Sequence, residues 1–333
     1  MPPDAPRSAT LTERILRALP GTRSAWIAIW VGVVLARPLI VVAVDEGAEG
    51  WRAVWEAASP NIASTLVFGY MVFVSLFAIA RLGRDARALE PSIGLLLPAE
   101  SRGAESSMAE VESTVWPLVL TVAATVFSFS EETLMHGALA AAVGTLIAFV
   151  VNLPVMTLLW VLVSVLRGFA RIGRTDLALD DQFGNPSLGL ALVGLLAFNG
   201  FMAFLAVLLP FLLVSIQRPR DLAVGLAFAI APIVLELVSL YRLHLQMVAS
   251  RVRYVTWTRR LYSDVLRPVR AEPTPAKLAE RTALVTAAEA LVRRSEATQE
   301  WPLTDRSFGI MLGVIAGVVT SIVARVVMGG FGL

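Results

Sequence analysis

Side chains able to do acid–base, nucleophilic or metal chemistry are almost absent from this chain of 333 residues. His136 and His244 are the only histidines, no cysteine occurs, and the 28 lysines and arginines include one lysine, Lys277. A metal site built on imidazole and thiolate needs three or four ligands brought together, and two histidines cannot supply them. Thiol nucleophiles and disulfides are excluded by the lack of cysteine. The last apolar segment has no lysine for a Schiff base, which excludes a rhodopsin. No G-x-S-x-G elbow and no glycine-rich phosphate loop is found. The sequence therefore points to no enzymatic reaction, no cofactor and no metal.

What it does offer is charge set in apolar surroundings and small residues set in register. Arg37, Glu236 and Arg325 stand inside apolar runs. A charge facing lipid is costly, so each must find protein, water or headgroups. Arg37 and Glu236 are candidates to pair with each other, Glu236 is also within reach of water in an inner vestibule, and Arg325 is expected near headgroups. Asn152 and Asn199 are candidates to bridge helices. Gly309, Gly313 and Gly317 follow one another four apart, and Thr320, Ser321 and Ala324 extend the same small face. Such a face lets helix backbones approach closely in lipid, either within one subunit or around a symmetry axis. Around an axis the pore-lining set would be Val314, Val318, Thr320, Ser321 and Ile322, whose apolar rings could gate by dewetting.

Seven apolar runs position these groups: 26–44, 62–80, 116–129, 137–166, 187–216, 222–241 and 307–328. Most approach the ~20 residues that carry a helix across ~30 Å of hydrocarbon. A mean hydropathy of +0.72 with 56% apolar residues excludes an ordinary soluble domain. Arg7, Arg14, Arg17 and Arg23 precede the first run, and Arg81, Arg84 and Arg87 follow the second. Arg167, Arg171 and Arg174 follow the fourth, and a basic segment from Arg242 to Arg270 follows the sixth. Asp45, Glu46, Glu49, Glu56, Glu131 and Glu132 occupy the intervening loops, with Arg52, Arg218 and Arg220 as the exceptions to the bias. Arginines stay on the cytoplasmic side, which predicts an inside N-terminus and an outside C-terminus. The expected fold is all-α, a polytopic membrane protein with seven transmembrane helices in the cell membrane. The strong preference for arginine over lysine suggests a GC-rich prokaryote.

Four regions follow. Residues 1–25 form a cytoplasmic amphipathic segment, in which Thr10-Leu11-Thr12-Glu13 fits a capping box and Leu11, Ile15, Leu16 and Leu19 share a face. Residues 26–241 hold six spans, with a partly structured loop expected over 81–113. Residues 242–306 form a cytoplasmic extension of the sixth helix, broken over Arg267-Pro268 to Pro275, and then a helix over 275–296. Residues 307–333 form the seventh span and a short outer tail. Glu131 and Glu132 would make an outer mouth that concentrates cations. The pI near 9.4 suits anionic lipid headgroups rather than nucleic acid.

The layout resembles the insect odorant and gustatory receptor superfamily of seven-transmembrane ion channels. The shared features are seven spans with the N-terminus inside, long middle helices, and a cytosolic helix joined to a final span. The resemblance implies a homotetramer held together by the cytoplasmic ends of the fourth to sixth helices and the first half of the seventh. It also implies a cation-permeable pore lined by the membrane half of the seventh. The corresponding pieces here are the stretch around Ala170 and residues 241–265, 275–296 and 307–328. The family's Thr-Tyr pair followed by Gln-Phe is replaced by Ser307-Phe308-Gly309, so its ligand pocket is not implied. Glu131-Glu132 with His136 faintly resembles the paired-glutamate motif of intramembrane prenyl-endopeptidases, which need histidines on other helices that this chain lacks.

The functional expectation is a homo-oligomeric, chemoreceptor-like cation channel whose partners are membrane lipid, further copies of itself and permeant cations. One rival is a secondary transporter with a midplane site using Arg37 and Glu236. A second is a non-conducting sensor or scaffold whose basic cytosolic helices bind a partner or anionic lipid.

Overall fold

The computed structural model describes residues 9–45, 51–98, 108–127, 138–215, 219–271 and 274–330. Among them every regular element is a helix. In chain order these are α1 (Leu11–Ala18), α2 (Arg23–Asp45), α3 (Trp51–Ala58), α4 (Ile62–Leu96) and α5 (Val115–Phe127). They are followed by α6 (Ala138–Ile172), α7 (Ala191–Ser215), α8 (Pro219–Ala271), α9 (Pro275–Glu296) and α10 (Asp305–Gly330). Among the described residues five helices, α2, α4, α6, α7 and α8, contain stretches long and apolar enough to cross a membrane, and α5 is a shorter apolar helix.

The capping box at the start of α1 forms, with the backbone N–H and hydroxyl of Thr10 both donating to Glu13. Its buried residues are Thr12, Glu13 and Leu16, so α1 docks on the ends of α2, α4 and α6 through a mixed face. The apolar row expected to meet lipid, Leu11, Ile15 and Leu19, is only half-buried.

One segment expected to be a loop is instead helical. α4 runs on through Pro91 to Leu96, where a partly structured loop was expected. Leu82, Ala86, Leu89, Ile93 and Leu96 keep helical spacing and are all buried. That burial outweighs the one backbone bond a proline removes. α8 passes Pro268 and ends at Ala271, within the break expected over 267–275. α7, by contrast, starts later than its apolar run, because residues 183–190 fold into a tight loop. Leu188 is fully buried there at φ 50, followed by Gly189 at φ 81.

The principal core lies at the end of the bundle that carries Arg84, Arg167, Arg171 and Arg242, called here the basic end. It joins α4, α6, α7 and α8 with Leu179, Leu188 and Leu190 of the loop, and with Leu303 and Met311 near the start of α10. Beyond this core α8 continues as an extension that α9 covers in antiparallel fashion. A buried Thr258–Ser295 hydroxyl contact of 2.9 Å and the buried Ala288 lie between the two helices.

The linker from α9 to α10 is fastened at several points. Gln299 N–H donates to the Pro186 carbonyl at 2.8 Å. His244 stacks on Trp301 at 4.2 Å, and its Nδ1 meets the Glu300 carbonyl at 2.8 Å. Pro302 lies against the first turn of α7 so closely that a Cβ on Gly194 would collide with its carbonyl.

Candidate functional site

α10 has two contrasting faces. Met311 is buried, and Val314 and Ile315 pack on the principal core against α7 and α8. On the other side, a Cβ added at Gly309, Gly313 or Gly317 would meet nothing within 4 Å. Leu312, Ala316 and Thr320 are exposed beside them. The helix turns ~100° per residue, so steps of four keep the glycines together while Val314, roughly a quarter-turn from Gly313, flanks them on the side toward the core. Burial of Met311 and partial burial of Val314 and Ile315 fix the helix against the bundle, and Phe308, Ile310 and Leu312 stay exposed with the glycines.

The residues expected to line a pore are thus separated. Thr320 stays with the glycines, whereas Val314 belongs to the protomer's own core. Val318 and Ile322 follow Val314 at intervals of four; their side chains, with those of Ser321 and Arg325, lie outside the described residues. Glu131, Glu132 and His136 also fall outside them.

Glu236 is 4% exposed, and its Oε1 makes no hydrogen bond. It borders a small cavity of about 80 Å³ between α6, α7 and α8, otherwise apolar and walled by Leu162, Phe169, Phe201 and Pro232. The expected pair with Arg37 does not form. Among the described residues neither group has an ion-pair partner, and α2 packs chiefly on α4 and α6 rather than on α8. Asn152 and Asn199 both bridge helices: Asn152 donates to Thr125 on α5 at 3.3 Å, and Asn199 to Asp85 on α4 at 2.9 Å.

Two acidic residues that the sequence reading passed over anchor the basic end. Asp180 accepts from Arg253 twice at 2.8 Å and from Ser250 at 2.7 Å, tying the α6–α7 loop to the α8 extension. The hydrogen-bonded Arg253 guanidinium holds the Asp180 carboxyl below its ordinary range, against a smaller opposing effect of burial. Glu110 is bound by Arg171, with Arg167 at 3.5 Å, and the hydrogen bond from Arg171 likewise lowers its carboxyl. The available signal was the doublet Asp180-Asp181, an acidic insertion on the side otherwise populated by arginine.

Among the described residues no group of His, Cys, Asp and Glu could hold a metal ion. Comparison with known proteins finds no matching family model, no similar curated protein and no similar solved structure. The uncovered small face of α10 and the isolated Glu236 are therefore the two features from which a function must be argued. The first is suited to close helix–helix association in lipid. The second is suited to receiving a positive charge or a proton inside the bundle.

Proposed function

We propose that the protein is a homo-oligomeric cation channel of the cell membrane. Its α10 helices meet around a central axis through the face bearing Gly309, Gly313, Gly317 and Thr320. In this reading α5 and α10 join the five long apolar helices to make seven spans, with the N-terminus inside and four copies in the assembly. The observation that carries it is that this face is open in the protomer, while Met311, Val314 and Ile315 hold the helix against the core. An uncovered glycine ladder in lipid gains from a partner backbone at close range. Thr320 then offers a hydroxyl to the axis, and Val314 supports the wall from behind. Glu131 and Glu132 would collect cations at the outer mouth.

The deciding experiment is single-particle imaging of the protein in nanodiscs. The reading requires several copies with α10 nearest the axis; a lone protomer, or a centre filled by other helices, ends it. A second reading, a secondary transporter, is favoured by one observation, the buried unpartnered Glu236 beside its cavity. Glu236→Gln would then abolish solute uptake into proteoliposomes and leave ion currents absent in both proteins. Currents that persist unchanged in Glu236→Gln favour the channel.

A further inference from the structure

A cavity of about 630 Å³ lies between α1, α2 and α4 at the basic end. Arg17, Arg23, Arg84 and Arg87 line it, and among its described lining residues Glu13 is the carboxylate beside them. That carboxylate is nearly buried, held by Thr10 and lying 3.9 Å from Arg23 and 3.7 Å from Arg87. The polar half of the described lining is thus rich in guanidinium.

Its wall also changes character in one direction. Residues 73, 77, 80, 84 and 87 of α4 are spaced by alternate fours and threes, which places them on one helix face. Along that face Phe73 and Phe77, both exposed, give way to Ala80 and then to Arg84 and Arg87. α2 repeats the order over a single turn, with Ile27 on the apolar side of Arg23. Fourteen residues of helix span roughly 21 Å, about the depth of one leaflet counted from headgroup to the chain region.

We infer that this cavity is a binding site for an anionic phospholipid, with the headgroup phosphate among the four arginines and an acyl chain along Phe77 and Phe73. Guanidinium forks bind phosphate oxygens in pairs and tolerate partial desolvation better than ammonium groups. A free phosphate would satisfy the arginines alone and leave the apolar half of the cavity without an occupant, which is why a lipid is the source chosen. The inference concerns α1, α2 and α4 and holds whether or not the protein conducts ions.

The test is native mass spectrometry of the detergent-solubilised full chain titrated with dioleoyl-phosphatidylglycerol, with dioleoyl-phosphatidylcholine and inorganic phosphate as separate arms. One phosphatidylglycerol should bind saturably, at least tenfold more tightly than phosphatidylcholine. Arg84→Gln, and independently Arg17→Gln, should remove most of that preference. Arg174→Gln, an exposed charge at the same end but outside the cavity, should leave it intact. Phe77→Ser should weaken phosphatidylglycerol binding without creating a preference for phosphatidylcholine. Thermal unfolding in neutral lipid checks that each variant folds. Three results would overturn the inference: equal loss with Arg174→Gln, which would indicate diffuse surface attraction; full competition by millimolar inorganic phosphate, which would indicate a site for a free anion; or a preference unaffected by both Arg84→Gln and Arg17→Gln.

Discussion

Gly194 and the three glycines of α10 are the same residue type put to opposite uses. At Gly194 the missing side chain is filled by the protein itself, since the Pro302 carbonyl occupies the space a Cβ would need. At Gly309, Gly313 and Gly317 the corresponding space is empty. A glycine in a helix interior forfeits about 1 kcal/mol relative to alanine. At Gly194 the return is visible within one protomer, where the linker closes over α7. On α10 no such contact is found among the described residues, and the proposed assembly would place it in a neighbouring copy.

The largest effect should come from breaking the closed case. Gly194→Val forces a branched side chain into the Pro302 carbonyl, and overpacking of this kind costs about 3 kcal/mol. The expected outcome is a protein that unfolds at clearly lower temperature or fails to accumulate; an unchanged melting temperature would mean the linker swings free at no cost. Next comes Gly313→Leu. It should leave protomer stability within about 1 kcal/mol of wild type, because nothing in the protomer is displaced, while size-exclusion light scattering shows the assembly lost. A fall in protomer stability with assembly retained would reverse the contrast drawn here.

Accessibility sharpens the same comparison at lower amplitude. With no native cysteine, a cysteine at Thr320 should react with a charged thiol reagent, and one at Val314 should be protected. Equal protection would deny an aqueous path along the small face. The smallest effect concerns the clamp that steadies the surroundings of the closed glycine. Asp180 is depressed in the folded protein, so its contribution is present above the ordinary aspartate range and lost as pH falls through the lowered value. Asp180→Asn should therefore flatten the acid side of a melting-temperature profile and shift the neutral side only slightly, since the pair is partly exposed. An unaltered acid limb would show that the Arg253 contact stabilises nothing.

The sequence conveyed some elements to the residue and hid others for physical reasons. The helix at Pro275–Glu296 is bounded by a first-turn proline and a downstream Trp301-Pro302 break, and both are local signals. The Thr10–Glu13 capping box is equally local. α4 beyond Ala80 and α8 beyond Tyr241 are different, because an apolar run marks where hydrocarbon ends and not where a helix ends. For α8 the absence of Pro and Gly over 241–265 made the continuation readable. For α4 the charges around Arg84 and Glu90 masked the buried row Leu82, Ala86 and Leu89.

The candidate site divides in the same way. Glycine spacing on α10 was legible, but which bulky residues turn toward the core depends on rotation about the helix axis, and Val314, beside the glycine row, packs on the core. Pairing Arg37 with Glu236 needed knowledge of which helices are neighbours, and one chain without tertiary contacts does not contain it. Asp180 and Arg253 stand 73 positions apart, and nothing local to either announces the other.

The seal over Gly194 also has a consequence for how the molecule is made. Pro302 and Leu303 leave the ribosome more than a hundred residues after Gly194. The inserted helices must therefore wait, with α7 and the α6–α7 loop only partly covered, until translation has nearly reached α10. Closure over α7 and synthesis of the last helix are thereby placed back to back in time. A nascent chain stalled before residue 300 would lack both this closure and the helix on which the proposed assembly depends.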